Sequence, residues 1–336
     1  MPAHFLNGTE PTAEGIWQLC QRALELKAGA KPVRADGLRL AAVFLNPSLR
    51  TRTSMEAAAH ALGIQAMVLS PGKDAWALEM QDGAVMDGDK AEHVKDAVRV
   101  LAEYADLLSV RAFAGLHDVE EDRSDPVLTA FATHSPVPVI NMESALWHPL
   151  QGLADTATMA HHLGQLKGRR VTLTWAPHPK ALPAAVPNQV LLSSALQGMD
   201  VTVTHPEGFD LDPRIVAQAT ALAEAGGGAV KVSNDQHAAM AGAEVVVAKS
   251  WSGFAGYGRR EAEAEKRATL SDWTVDADTM ALTDKAGFMH CLPVRRNVVV
   301  SDAVIDSPQS WVIEEAGLRM WTAMALLETL AQGGAW

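Results

Sequence analysis

The segment Ser48-Leu49-Arg50-Thr51-Arg52-Thr53-Ser54 sets hydroxyls and two guanidinium groups between an apolar run, Leu40–Leu45, and a helical pattern of Met55, Ala58, Ala59 and Leu62. Asn46-Pro47 ends the run. Backbone N–H groups at a helix start, the helix dipole and paired arginine donors together suit a phosphate. The bland reading of the bare pattern is a capped helix with two solvated arginines. Further reactive groups follow other strand-like runs: Arg111 after Leu107–Val110, His148-Pro149-Leu150-Gln151 after the run ending at Asn141, and His290-Cys291-Leu292-Pro293 at the end of Gly287–His290. Arg319 lies in a helical pattern near the C-terminus. Taken singly, each is ordinary: a surface charge, a structural histidine, an inert thiol.

The elements that must position these groups alternate. Strands are expected at 40–45, 65–69, 107–110 and 137–141, with helices at 53–62, 93–104 and 126–133 between them. A second series has strands at 171–175, 200–204, 229–232, 244–248 and 287–290, with helices near 188–197, 213–225 and 236–241. This reads as α/β, with two doubly wound parallel-sheet domains. Helical spacing across 150–166 links the halves, and a long helix runs over 314–330. Ligands of open parallel sheets bind outside the carboxyl ends of the strands, so the reactive positions are expected to converge. The polar stretches Pro71–Glu92 and Ser250–Glu263 are long for loops of a compact domain, and such loops are disproportionately functional.

Bulk properties narrow the class. A chain of 336 residues suggests two domains, and 48% hydrophobic content fits a globular protein. The net charge of −12 argues against a general polyanion or nucleic-acid binder, so any positive field must be local. Cys20 and Cys291 give neither a disulfide framework nor metal-ligand spacing. No signal pattern or membrane-length apolar run is apparent, so a cytoplasmic protein without membrane contact is expected. No Gly-x-Gly-x-x-Gly follows the early strands, which disfavours a nucleotide-dependent dehydrogenase.

Four motifs in order change the odds. Ser48-Leu49-Arg50-Thr51-Arg52, His148-Pro149-Leu150-Gln151, His290-Cys291-Leu292-Pro293 and Arg319 followed by Trp321-Thr322-Ala323-Met324 closely resemble those of the aspartate and ornithine carbamoyltransferases. The resemblance implies that a primary amine attacks the carbonyl carbon of carbamoyl phosphate, with no cofactor, metal or covalent intermediate. Ser48, Leu49, Arg50, Thr51 and Arg319 would hold the phosphate, and Thr51, Arg111 and His148 would donate to the carbonyl oxygen as it becomes an oxyanion. Gln151 and the Cys291 and Leu292 carbonyls would hold the carbamoyl NH2. Residues 1–147, completed by helix 314–332, would bind carbamoyl phosphate, and 148–313 the acceptor.

Which amine is attacked is decided by other strings. Pro71-Gly72-Lys73-Asp74-Ala75-Trp76, Asn141-Met142-Glu143, Thr174-Trp175-Ala176-Pro177-His178-Pro179-Lys180, Ala248-Lys249-Ser250-Trp251 and Arg295-Arg296-Asn297-Val298 are similar to the branch of the family that carbamoylates N-acetylornithine in arginine synthesis. By that resemblance Glu92, Glu143, His178, Lys249 and Leu292 would bind acetylornithine. Trp76 would reach the carbamoyl-phosphate site of a neighbouring subunit in a homotrimer. The second domain would be knotted near Ser250–Glu263. Glu92 would repel the distal carboxylate of N-succinylornithine, and the missing Ser-Met-Gly string argues against ornithine. Glu92 also reads as an acid favoured by a helix N-terminus. The chain departs from the branch in having Val298-Val299-Val300 where some members carry a lysine, and Gly317-Leu318 before Arg319. A catalytically silent phosphate-binding protein would be expected to lose Arg50, Arg111 or His148; this chain keeps all three.

Overall fold

A computed structural model describes residues 2–334. They form two compact units, one of residues up to Gly115 with Glu120–Leu150 and from Arg319 onward, the other of Leu116–Val119 with Gln151–Leu318. The first carries α1 (Ala13–Lys27), β1 (Arg39–Phe44), α2 (Leu49–Leu62), β2 (Gln65–Leu69), β3 (Leu78–Glu79), β4 (Glu92–His93), α3 (Val94–Tyr104), β5 (Leu107–Arg111), α4 (Val119–Ser124), α5 (Pro126–His134), β6 (Val139–Glu143) and the start of α6 (Pro149–Leu163). Its sheet is parallel, in the order β2-β1-β5-β6. The continuous apolar runs of β1 and β5 are buried on both faces, as a covered parallel sheet requires. Ala41, Val43, Leu108, Val110 and Val139 pack with Val94 and Val98 of α3 and with Leu128 and Phe131 of α5.

The second unit continues through β7 (Arg170–Trp175), α7 (Ala185–Leu196), β8 (Asp200–Thr204), α8 (Pro213–Gly226), β9 (Ala229–Ser233), α9 (Gln236–Met240), β10 (Val245–Lys249), α10 (Arg260–Ala268), α11 (Ala277–Ala281), β11 (Gly287–Met289), α12 (Asp302–Ile305) and the start of α13 (Val312–Ala331). Its parallel sheet runs β11-β10-β7-β8-β9. Helix α7 is buried over nearly its whole length. A Cβ at Gly152 of α6 would collide with the Ser193 hydroxyl and the Gln189 side chain of α7, so the glycine is needed for that close approach.

Several local expectations are corrected. Helix α2 begins at Leu49, not Thr53, because the Ser48 hydroxyl accepts from Thr51 N at 3.2 Å and caps it; Arg50, Thr51 and Arg52 therefore sit in its first turn. Helix α1 carries no chemistry-bearing motif and was not anticipated. Residues 71–92 are not wholly irregular: Leu78–Glu79 pairs with Glu92–His93, so Glu92 is in a strand, and His93 caps α3 through Lys95 N at 3.1 Å. Residues 250–263 contain a 3-10 turn, Phe254–Gly256, and the start of α10.

Candidate active site

In the first sheet the chain moves from β1 to β2 on one side and to β5 on the other. The carboxyl ends of β1 and β5 therefore flank a topological switch point, where open sheets bind ligands. The turn after β1 is tied to β5 by Leu45 N donating to Arg111 O (3.0 Å) and Phe113 N donating to Asn46 Oδ1 (2.7 Å). Helix α2 starts there with no acidic residue in its first turn, which leaves its positive dipole end uncompensated from within. Phe44, Pro47, Ser48, Leu49, Arg52, Ser70 and Lys73 line a pocket beside it. Arg52 is exposed and pairs with Glu56 one turn on (3.5 Å), a solvated helix-surface pair. Leu49 is 75% exposed, so any role it has comes through its backbone.

Thr51 is the hub. Its buried hydroxyl accepts from Arg319 Nη2 at 3.0 Å and from Arg111 Nη1 at 3.4 Å. Arg111 is held in turn by the Glu143 carboxylate, and the same oxygen, Oε2, lies 3.3 Å from His148 Nε2. A register shift between Val110 and Arg111 creates this meeting. Asn141 pairs with Val110, yet Arg111 pairs with Glu143, so Met142 is skipped and the carboxylate is brought opposite the guanidinium. Arg111 also stacks over Phe113, 4.5 Å from the ring centroid.

The turn between Glu143 and His148 is braced from α5. Asp125, buried and at φ 45°, takes the Ser144 hydroxyl and accepts from Ala145 N at 3.4 Å. Ser144 Oγ accepts from Trp147 N (3.3 Å) and from Asn141 Nδ2 (3.0 Å). Burial pushes the Asp125 carboxyl up to about 6, against the lowering effect of the Ser144, Ala145 and Leu146 donors. On the long loop, Trp76 Nε1 donates to Glu92 Oε2 at 2.6 Å, and the Trp76 ring remains 62% exposed.

The second unit has its own switch point, between β7 and β10, where Lys249 pairs with Trp175. Arg295 Nε donates to His178 Nε2 at 3.1 Å, which requires a lone pair on Nε2 and puts the ring proton on Nδ1, donating to Lys180 O at 3.0 Å. That tautomer excludes Nδ1 as an acceptor for Lys180 N, the alternative contact at 3.1 Å. Burial first, then the charges of Arg295, Lys249 and Arg267, lower the His178 pKa. Lys249 and Arg295 therefore supply positive charge beside a neutral His178, a setting suited to a carboxylate. Buried Arg267 holds the adjoining segment through Ser250 Oγ (2.7 Å) and Trp251 O (2.6 Å), neutralised by Glu263.

Gln151 Nε2 donates to Asp155 Oδ1 (2.7 Å) and Glu315 Oε1 (2.8 Å); carboxylates only accept, so this fixes which end of the amide is nitrogen. Glu315 Oε2 accepts from His290 N (2.9 Å) and His290 Nδ1 from Leu292 N (3.0 Å), which links Gln151 to the His290–Pro293 turn. Leu292 sits at φ 47°, a conformation that surroundings must impose on a non-glycine residue. Cys291 is only partly buried.

The structure thus gathers Ser48, Leu49, Arg50, Thr51, Arg111, Glu143, His148 and Arg319 at one end of the first unit's sheet, with Trp76 and Glu92 as a separate pair. In the second unit it joins Gln151 to Cys291 and Leu292, and His178 to Lys249 and Arg295. Sequence reasoning missed Asp125, Arg267, Arg295 and Glu315 as participants. Asp125 and Arg267 lack any motif; Asp125 reaches Ser144 19 residues on, and Arg267, besides Glu263 one helical turn before it, reaches Ser250 and Ser252 15–17 residues back. Arg295 lies inside a quoted string, which was its only signal. Among the described residues no cluster of metal-ligating side chains occurs, and no helix is long and apolar enough to cross a membrane.

Comparison with known proteins agrees over nearly the whole chain. Residues 3–161 match the family described as aspartate/ornithine carbamoyltransferase, carbamoyl-P binding domain, and residues 184–330 match its Asp/Orn binding domain. The N-acetylornithine carbamoyltransferase of Xanthomonas axonopodis pv. citri is 44% identical over 331 residues, 98% of this chain and 96% of that protein. An acetylornithine transcarbamylase solved in complex with acetylcitrulline superimposes with a TM-score of 0.95 at 44% identity, covering 97% of this chain and 98% of its own. A mutant N-acetyl-L-ornithine transcarbamylase complexed with carbamyl phosphate and N-succinyl-L-norvaline also gives 0.95 at 44% identity, covering 97% and 99%.

Proposed function

This chain belongs to the aspartate/ornithine carbamoyltransferase family, and from that premise we propose its reaction and the division of labour among its residues. It transfers the carbamoyl group of carbamoyl phosphate to the side-chain amine of N-acetyl-L-ornithine, giving N-acetylcitrulline and phosphate, a step of arginine biosynthesis. The C–N bond forms as the C–O bond to phosphate breaks with its electron pair on phosphate, and the proton shed by the attacking neutral amine leaves on the phosphate.

The observation that carries the residue assignment is the Thr51 hydroxyl under two guanidinium groups. Ser48, Leu49, Arg50, Thr51 and Arg319 bind the phosphate at the start of α2, with the helix amides and dipole adding to the arginines. Thr51, Arg111 and His148 donate to the carbonyl oxygen as negative charge develops on it. Gln151 and the carbonyls of Cys291 and Leu292 orient the carbamoyl NH2. Orientation of this kind supplies roughly 7–11 kcal/mol without any covalent intermediate. Glu92, Glu143, His178, Lys249 and Leu292 bind the acceptor, and the positive charge of Lys249 and Arg295 supports the role of Lys249 toward the acceptor carboxylate.

The finer architecture follows the same reading. Residues 1–147 with helix 314–332 form the carbamoyl-phosphate domain and 148–313 the acceptor domain, the latter knotted around Ser250–Glu263. The protein acts in the cytoplasm as a homotrimer. Exposed Trp76, Val85 and Met86 on one loop support its docking on a neighbouring subunit, with Trp76 completing that subunit's carbamoyl-phosphate site.

The test is ureido-product formation from carbamoyl phosphate with ornithine, N-acetylornithine and N-succinylornithine side by side. Turnover is expected with N-acetylornithine, and Arg111→Ala should lower it by at least about a hundredfold, the cost of losing one oxyanion donor. Turnover only with ornithine would overturn the acceptor; near-normal activity of folded Arg111→Ala would overturn the site.

A further inference from the structure

We infer that Glu143 is an internal competitor for the carbamoyl group, displaced when carbamoyl phosphate binds and thereby released toward the acceptor. The inference rests on the assignment of Arg111 and His148 to the carbonyl oxygen. One carboxylate oxygen, Glu143 Oε2, lies against both Arg111 Nη1 and His148 Nε2. That is the donor pair proposed to face the oxyanion, so the carboxylate oxygen stands where an oxyanion would be recognised.

At Arg111 Nη1 and His148 Nε2 the two occupants compete for the same hydrogens, while Arg111 Nε, buried without a partner, stays available to either. Arg111 Nη1 has two hydrogens, one directed at Thr51 Oγ1 and the other at Glu143. His148 Nε2 lies 3.3 Å from the same Glu143 oxygen, within reach to give it its one hydrogen. A carbonyl oxygen that takes these donors must replace Glu143 on them. The site is closed enough for the exchange to matter: Arg111 and His148 are buried, and the Glu143 side chain is only 12% exposed. The skipped Met142 is the backbone device that puts Glu143 there; without the register shift Arg111 would face an apolar neighbour.

Two consequences follow. Carbamoyl phosphate binds less tightly than its donors alone would allow, because it must break an ion pair first. Its binding also frees a carboxylate for the hydrogen-bonding groups of the acceptor, so each substrate favours the other, and by linkage the coupling is reciprocal.

The experiment compares the full-length wild type with Glu143→Gln, which keeps the shape and removes the charge. Carbamoyl phosphate is titrated calorimetrically in freshly prepared solution, with thermal melting as the control for folding. The folded variant is expected to bind carbamoyl phosphate about tenfold more tightly while its KM for N-acetylornithine rises. A crystal structure of the wild type with a carbamoyl-phosphate analogue should show Arg111 Nη1 and His148 Nε2 on the analogue and Glu143 moved off both. Unchanged or weaker binding by the folded variant would overturn the inference. So would an analogue complex in which Glu143 keeps both contacts. Absence of any carbamoyl-phosphate binding by the wild type would instead overturn the proposed function, and this inference with it.

Discussion

Glu92 does two things at the residue scale: it accepts from the Trp76 indole, and it adds a negative charge to the long loop. If acyl selectivity comes from its charge, removing the charge alone should change selectivity. Glu92→Gln retains an oxygen acceptor for Trp76 Nε1 and abolishes repulsion of a succinyl carboxylate. Like charges in a partly desolvated pocket cost on the order of a few kcal/mol, so the ratio of kcat/KM for N-succinylornithine over N-acetylornithine should rise roughly a hundredfold. Steady-state kinetics on both acceptors checks this. A ratio unmoved in Glu92→Gln but raised in Glu92→Ala would assign selectivity to space and the Trp76 contact, not to charge.

Among the elements, the β6–α6 connection sets how Glu143 and His148 are presented, and Asp125 of the α5 start braces it. Its raised pKa has a definite sign. Between about 3.8 and about 6 the folded chain holds a proton that the unfolded chain has released, so this group's contribution to stability falls as pH rises through that window. The change amounts to about 3 kcal/mol for a shift of this size. Asp125→Asn removes the titration. The melting temperature of the wild type relative to Asp125→Asn should therefore decline from pH 4 to pH 7, with most of the change complete by pH 6. A difference independent of pH would mean that Asp125 is not the buried carboxyl the geometry describes.

For the whole molecule the question is whether sites are shared between copies. An exposed indole on a long loop is a poor feature for an isolated chain and a reasonable one for an interface. Trp76→Ala and Arg111→Ala proteins, each inactive alone, should regain activity when mixed under conditions of subunit exchange. A site then works when a subunit with Arg111 receives Trp76 from its neighbour, which random mixing at equal ratio gives for about a quarter of sites. Exchange confirmed by mass labelling with no recovery would rule out shared sites.

The parallel α/β class, the approximate positions of the sheet strands along the chain and the four reactive motifs were legible in the chain itself; the order of strands within each sheet came from the structure. Buried parallel strands read as unbroken apolar runs, and turn chemistry such as Ser48 before Leu49-Arg50-Thr51 is written in neighbouring residues. The family resemblance also named Glu143 and Lys249 as acceptor-binding. What the sequence did not disclose is how side chains are spent on one another. That Glu143 faces Arg111 depends on a register shift between two strands more than 25 residues apart. That Glu92 belongs to a short ladder depends on pairing with Leu78 and Glu79 across a loop. The bonds of Asp125 to Ser144 and of Arg267 to Ser250 join segments that no periodicity connects, although the Glu263–Arg267 pair itself has helical spacing. Local propensity and pattern act over one or two turns of chain. Ion pairs and buried hydrogen bonds are settled by which strands lie side by side, a choice made by burial of the whole sheet, and so only the tertiary structure decides them.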